Sequence, residues 1–469
     1  MSKLFLYNTL TRRQEEFKSL FKKTVGLYSC GPTVYNYAHL GNLRAYLFVD
    51  ILKRALVYNG YQVKHVMNIT DVGHLVGDGD MGEDKFERQA RVEKKDAWDI
   101  ARFYEEAFKK DLAALNIITP SLYARVTDNI PEQIALIKTL EKKGFVYRTS
   151  DGLYFDTALV KDYNKLSHLP LEKLREGARV EKNEEKKNPT DFALWKFSPT
   201  GAKRQMEWPS PWGVGFPGWH IECSAISLKY LGKQLDIHCG GSDHINVHHT
   251  NEIAQSEAAT GKKFFNYWLH NAFLNIAGGK KMAKSAGNFL TLDKAVLKKG
   301  IDPLAYRFAF LQGSYRKPME YSEDSLRRAD EGLKNLKKSF NSLGLQIGKI
   351  DKTFKEKFLT AINKDLNTAQ ALAVLAQVLK SKLKPADKRA TVLDFDRVLG
   401  LKLDETVGLD EANLEISDLP TDLQKILTIR QQARLDRNFK EADRLREVLK
   451  DKGYLIEDSN TGVKISRLK

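Results

Sequence analysis

The stretch from Val25 to Thr70 constrains the fold more than any other part of the chain. It opens with the apolar run VGLYSC, stopped by Gly31-Pro32, which reads as a buried strand ending in a turn. In the segment that follows, HLGNLRAYLFVDILKRALVYNGY, Leu43, Leu47, Ile51 and Ala55 recur every fourth residue. This spacing predicts a helix from near Gly41 to just before Gly60. QVKHVMNIT then reads as a second buried strand. Strand, helix and strand in this order make a parallel crossover, the first unit of a doubly wound, Rossmann-like α/β sheet. Ligands of such sheets sit beyond the carboxyl ends of the strands, which here are Cys30-Gly31 and Thr70-Asp71.

The α/β pattern does not run on unbroken. Between about Pro120 and Pro211 helical segments are followed by the charge-dense piece EGARVEKNEEKKNPTD, predicted to be a surface loop over 176–189. This reads as an insertion between two halves of the sheet. The pattern resumes in HIECSAISLKYLGKQLDIHCGGSDH, where QLDIHC is a further buried strand ending at Gly240-Gly241. Past Ile301 the sequence turns helical, and Leu372, Leu375, Ala376 and Leu379 fall on one predicted helix face. The last segment, from Pro420 onward, is amphipathic and basic, which by itself is an ordinary solvated helix face.

Composition excludes several classes. No apolar run approaches the ~20 residues of a membrane span, and MSKLFLYNTLTRRQEEF has no apolar signal core, so the chain is expected in the cytoplasm with no membrane partner. Three widely spaced cysteines form no disulfide framework. The formal net charge of +16 favours a polyanionic partner through long-range attraction and counterion release.

Histidine is clustered: His220, His238, His244, His248, His249 and His270 lie close together in sequence, and GWHIECS puts a cysteine beside His220. In NVHHTNEIAQSEAAT, His248 and Glu252 project from one face of a predicted helix at i, i+4, and His249 and Glu252 do so at i, i+3. One histidine, Glu252 and two thiolates would complete a four-ligand zinc site, and spacing leaves the choice of histidine open. Taken singly, each cysteine reads equally as a small core filler. Position adds weight, because Cys30 ends one strand while Cys223 and His248 flank another of the same predicted sheet.

Two further stretches, PTVYNYAHLGN and KKMAKSAGNF, resemble the paired HIGH and KMSKS signatures of class I aminoacyl-tRNA synthetases. Together with YSCGPTVYNYAHLGN, NITDV, GWHIECS, GGSDH and HHTNE, they resemble the cysteinyl-tRNA synthetase family, and the tail IRQQARLDRNFKEADRLREVLKDKG resembles that family's C-terminal module. The resemblance implies Cys30, Cys223, His248 and Glu252 as ligands of one zinc ion per subunit. It implies His39, Asn42, Lys281 and Lys284 as catalytic residues, with His39, Gly41, Asn42, Gly241, Asp243 and Lys284 holding ATP. Gly31, Thr70 and Trp219 correspond to positions near bound cysteine. Three positions depart from the family pattern: Asn42 for the last histidine of HIGH, Ala283 for the serine of KMSKS, and Thr250 for an acidic residue.

The implied organisation is a first catalytic half over 1–119, a connective insertion over 120–215 and a second catalytic half over 216–270. A KMSKS-loop and stem-contact region over 271–330, a helical bundle over 331–405 and an anticodon-binding module over 406–469 follow. The implied reaction joins L-cysteine to tRNA(Cys) through an adenylate, with ATP and Mg²⁺ as substrate and zinc selecting thiol over hydroxyl. Arg434, Arg437, Lys440 and Arg444 are the candidate tRNA contacts, and a monomer is expected. The alternative acceptor is a small amino-sugar. A hydrolase using Cys223 and His220 is disfavoured, since hydrolase partners come from separate elements and HLGN and KMAKS would go unexplained.

Overall fold

A computed structural model describes residues 2–73, 84–170, 184–199, 204–276, 280–281, 289–405, 409–410, 416–436, 438–459 and 462–468. The chain divides into two compact units, Met1–Leu401 and Lys402–Lys469.

In the first unit a short antiparallel pair, β1 (Phe5–Asn8) and β2 (Arg13–Glu16), precedes β3 (Thr24–Ser29), α1 (Leu40–Tyr58) and β4 (Gln62–Ile69). Next come α2 (Lys85–Glu93), α3 (Ala97–Ala114) and β5 (Leu122–Arg125). The insertion holds α4 (Ile130–Lys142) and the strands β6 (Val146–Arg148), β7 (Gly152–Phe155), β8 (Phe192–Phe197) and β9 (Gly215–Pro217). The α/β pattern then returns with α5 (Trp219–Leu231), β10 (Leu235–Gly241), α6 (His248–Thr260) and β11 (Phe265–Asn271).

β3, β4, β5, β10 and β11 form one parallel sheet in the order β11-β10-β3-β4-β5. β3, β4, β10 and β11 are nearly continuous buried runs, as a sheet covered on both faces requires. Chain order reverses between β3 and β10, so the crevice at their carboxyl ends is the topological switch point. The strand-helix-strand reading of 25–70 matches β3, α1 and β4. The limit expected at residue 119 does not match, because β5 pairs with β4 and carries the sheet to Arg125. Four residues after a proline are too few to show a period.

The insertion is also less helical than expected: after α4 it is an antiparallel sheet, β6-β7-β8-β9. GLYF and FALWKF are buried throughout or nearly so, which hides the alternation that marks a half-buried strand. Of the loop predicted over 176–189, only 184–189 falls among the described residues.

Beyond β11 come β12 (Leu274–Ile276), β13 (Lys280–Lys281), α7 (Leu292–Ala295), α8 (Pro303–Leu311) and β14 (Met319–Tyr321). Four helices follow: α9 (Glu323–Asn341), α10 (Lys352–Asn363), α11 (Thr368–Lys380) and α12 (Pro385–Leu399). α9 crosses the boundary expected at 330, started by a Ser322–Ser325 capping box. On α11 the buried face is Ala371, Val374, Leu375 and Val378 rather than Leu372, Leu375, Ala376 and Leu379. Both sets fit a helical stripe, and the one carrying the two β-branched valines faces the core.

The second unit contains β15 (Leu409–Asp410), α13 (Thr421–Leu435), α14 (Phe439–Asp451), β16 (Tyr454–Ser459) and β17 (Gly462–Leu468). Its core is built from Leu423, Leu427, Leu449, Tyr454, Ile456 and Ile465. Among the described residues no helix is long and apolar enough to cross a membrane.

Candidate active site and metal centre

At the switch point lies a cavity of about 300 Å³, walled by the ends of β3, β4 and β10 and by the starts of α1, α5 and α6. Its first wall is the turn after β3. Gly31 donates its N–H to Asn68 Oδ1 at 2.8 Å, and a Cβ at Gly31 would lie 1.6 Å from the Asn68 carbonyl oxygen, so only glycine fits. Thr70 donates its backbone N–H to the Pro32 carbonyl and Val34 donates to the Thr70 carbonyl, both at 3.0 Å, lacing the turn to the end of β4. The Thr70 hydroxyl donates to Glu222 Oε2 at 2.9 Å and accepts from Asn68 Nδ2 at 3.0 Å.

The second wall is the start of α1. His39 is its N-cap, and Nδ1 accepts the Asn42 backbone N–H at 3.1 Å while Asn42 Oδ1 accepts the His39 N–H at 3.1 Å. This reciprocal capping box puts the proton of a neutral His39 ring on Nε2. The ring lies against Gly41, where a Cβ would come within 2.9 Å of it. The helix end thus turns its partial positive charge toward the cavity, a ready place for phosphate.

The third wall holds the sulfur and nitrogen donors. Cys223 lies on α5, and His248 and Glu252 lie one turn apart at the start of α6. Donor atoms of Cys30, Cys223, His248 and Glu252 all lie within 4.8 Å of one another, and so do those of Cys30, His238, His249 and Glu252. Cys223, His248 and Glu252 are buried, with Cys30 partly so. His248 Nε2 is 3.1 Å from Glu252 Oε1, and His238 Nε2 is 3.0 Å from Oε2 of the same carboxylate. Trp219 stacks on His248 at 4.3 Å between ring centroids. Behind them a chain runs from Cys30 Sγ to His249 Nε2 (3.3 Å), from His249 Nδ1 to His270 Nε2 (2.8 Å), and from His270 Nδ1 to Thr9 Oγ1 (2.8 Å). Burial pushes the Cys30 and Cys223 thiols above their ordinary range and holds His249 and His270 well below theirs.

A family model described as the class I (C) tRNA synthetase catalytic domain matches residues 16–331, and one described as the cysteinyl-tRNA ligase anticodon-binding domain matches 417–465. The chain belongs to the cysteine–tRNA ligase family. A cysteine–tRNA ligase of Burkholderia lata is 48% identical over 98% of this chain and 96% of its own length, and one of Treponema denticola is 44% identical over 97% and 98%. Among solved structures, a methionyl-tRNA synthetase of Mycobacterium tuberculosis bound by methionyl-adenylate aligns with a TM-score of 0.54 at 14% identity, covering 81% of this chain and 90% of that one. A LeuRS–tRNA–LeuAMS complex of Agrobacterium radiobacter aligns at 0.59 and 11%, covering 81% and 84%. These two likenesses extend the shared α/β fold to other synthetases.

Against that family pattern, the residues named from the sequence fall out as follows. Cys30, Gly31, His39, Gly41, Asn42, Thr70, Trp219, Cys223, Gly241, Asp243 and His248 all line the one cavity. Glu252 stands behind it, within reach of the thiols. Lys281 is described only as backbone in β13, while Lys284, Ala283 and Arg437 lie outside the described residues. Thr250 is buried and donates to the Ile245 carbonyl at 2.8 Å, closing the turn into α6. Arg434 pairs with Asp458 and Arg444 with Glu441. Sequence reasoning missed the Glu222–Thr70–Asn68 chain, although NIT and IECS both stood in the quoted motifs.

Proposed function

We propose that this chain activates L-cysteine with ATP to cysteinyl-adenylate and then transfers cysteine to the 3′ end of tRNA(Cys). One observation carries the reading: two thiols and an imidazole, backed by a carboxylate within reach, line the same cavity as the positive end of a helix. Adenylate formation needs no general base, because the substrate carboxylate is already ionised. It attacks the α-phosphorus and pyrophosphate leaves, so the protein must position the reactants and neutralise charge. The α1 N-terminus and His39 Nε2–H face that task, with Asn42, Lys281 and Lys284 assigned beside them. Asp243, held against Gly241, is assigned to the ribose.

Thr70 is suited to the substrate ammonium. Its proton goes to Glu222 and one lone pair to Asn68, which leaves a lone pair that can only accept. Trp219 and Gly31 would close the pocket around the side chain.

The donor set fits zinc: two thiols, one imidazole and one carboxylate, buried and mutually close, are borderline-soft ligands of the kind Zn²⁺ takes. Of the two groupings we assign Cys30, Cys223, His248 and Glu252, because Cys223 and His248 line the cavity while His238 and His249 do not. A bound zinc ion would favour the substrate's soft thiolate over serine's hydroxyl, a discrimination that shape alone limits to about 10²-fold. The acceptor is assigned as tRNA(Cys) rather than an amino-sugar, supported by the anticodon-module match over 417–465. ATP, with Mg²⁺ on its phosphates, is substrate, and a cytoplasmic monomer is part of the same proposal. The test is cysteine-dependent ATP–pyrophosphate exchange, with and without a zinc chelator and with serine as competitor. Exchange that serine supports equally well, or that survives complete metal removal unchanged, overturns the reading.

A further inference from the structure

A charged residue sits among apolar neighbours in the first two turns of the helix that forms the phosphate wall. On α1 the buried side runs Leu40, Leu43, Arg44, Leu47 and Phe48, and Arg44 is only 1% exposed. Its guanidinium makes no ion pair among the described residues; it donates instead to four backbone carbonyls. Nη1 reaches those of Ala272 and Phe273, the latter at 2.5 Å, and Nη2 those of Lys317 at 2.6 Å and Tyr315 at 3.3 Å.

Those carbonyls belong to two segments that matter for the cavity. Ala272 and Phe273 line it directly, as His39 and Asn42 do, and run straight into β12. β12 pairs with β13, at whose end Lys281 stands, and in parallel with β14, which follows the 315–317 turn. Ala272 donates to the Tyr315 carbonyl at 2.9 Å and Met319 donates to that of Phe273 at 3.0 Å, so both segments meet just where Arg44 enters. Four carbonyl oxygens pointing into one buried spot need a donor with several N–H groups in a planar fork, which a lysine ammonium does not match. Two more bonds hold the same helix end, from Tyr306 Oη to the Leu40 carbonyl (2.7 Å) and from Leu40 N–H to the Leu290 carbonyl (2.9 Å).

We propose that Arg44 is a positioning residue for adenylate formation: it fixes the distance between the phosphate-binding start of α1 and the root of the lysine-bearing segment that begins at β12. The inference rests on the proposed cysteine-activating function. Arg44 touches no substrate; it acts through His39 and Asn42 on one side and through Ala272–Leu274 on the other. A displacement near 1 Å between such groups costs about 10²-fold in rate.

The test compares Arg44→Lys and Arg44→Gln with the unaltered enzyme in ATP–pyrophosphate exchange, alongside thermal unfolding and bound zinc. The expected result is folded protein with unchanged zinc content and unchanged KM for cysteine. kcat should fall about 10²-fold in Arg44→Gln and less in Arg44→Lys, with partial recovery of the Gln variant on adding millimolar methylguanidine. Variants that keep full kcat overturn the proposal, whatever their melting temperature. So do variants that lose zinc or raise the KM for cysteine in step with kcat. If neither variant folds even in the cold, Arg44 is a folding residue and the proposal also falls. Absence of cysteine-dependent exchange in the unaltered enzyme would instead remove the underlying function.

Discussion

The two sides of the cavity are built on opposite plans. On the sulfur side the groups assigned to the metal are side chains sunk in the core: Cys223, His248 and Glu252 are each no more than 2% exposed, and His248 and Glu252 each touch a further buried histidine. On the phosphate side the group is a helix end, with His39 partly exposed and Asn42 exposed, and their side chains spent largely on each other. The difference suits the two ligands proposed. A small neutral side chain differing by one atom is best sorted in a dry, fixed cradle, where a soft ligand bond has no competition from water. A multiply charged phosphate chain that must enter and leave is better met by N–H dipoles at the surface, with little desolvation to reverse.

The contrast is broken most forcefully at Cys223. Cys223→Ser should lose bound zinc and lower kcat/KM for cysteine in exchange by about 10³-fold, since a metal contact is worth several kcal/mol. His238→Asn is the control: it touches Glu252 from behind, so zinc content at saturating metal should hold while affinity falls about 10–100-fold. Atomic absorption after dialysis against graded chelator reads both. The reverse outcome, zinc lost in His238→Asn and kept in Cys223→Ser, would move the site to the second grouping. On the other wall, His39→Ala should cut kcat about 10²-fold while leaving zinc and the KM for cysteine unchanged. Asn42→Ala should act more weakly on kcat, and loss of the capping box should cost about 1 kcal/mol in urea unfolding.

The legibility of the two sides differs as well. The β3-α1-β4 crossover could be read from local periodicity, and with it the position of Gly31 and Gly41. The four donors assigned to zinc could not be assembled that way, because they come from three elements joined only by the sheet order. His248 and His249 are both buried at the start of one helix, so spacing had no means to rank them. Only the resemblance ranked them; of the two, His248 lines the cavity. Arg44 left a trace that was passed over, a charge at i+4 from Leu40 on the apolar stripe of α1. The insertion sheet left almost none, since its short strands pair with neighbours far along the chain.

A third prediction asks whether the surface plan of the phosphate side recurs where RNA would bind. In the second unit Phe439 is 59% exposed, and Arg434 pairs with Asp458, which Arg430 also holds in a two-pronged contact. An exposed aromatic in a unit that also carries ordered cations suits a splayed base of single-stranded RNA. Phe439→Ala should therefore lower kcat/KM for tRNA charging about tenfold, as loss of one stacked base does, and leave pyrophosphate exchange unchanged. Equal losses in both assays would place the effect in folding rather than in RNA contact.

The smallest effect sharpens the comparison through pH. Asp111 on α3 is partly buried, and burial, helped by the charge of Asp293 on α7, pushes its carboxyl up to about 7. α7 follows Thr291, whose backbone bridges His39, so this acidic pair stands behind the phosphate wall and not the sulfur wall. A carboxyl whose folded value is raised stabilises the fold fully below its unfolded value near 4 and loses that contribution as pH rises towards 7. Stability should accordingly fall across that window, by about 1 kcal/mol once solvent screening is discounted. Asp111→Asn should remove the slope, matching the unaltered protein at pH 4 and exceeding it at pH 8 in urea midpoint. The gain should come without any change in metal content, because the donors assigned to zinc stand on the turn after β3, on α5 and on α6. A variant with the same advantage at both pH values would show that Asp111 acts through packing, and would leave the phosphate wall as insensitive to pH as its neighbour.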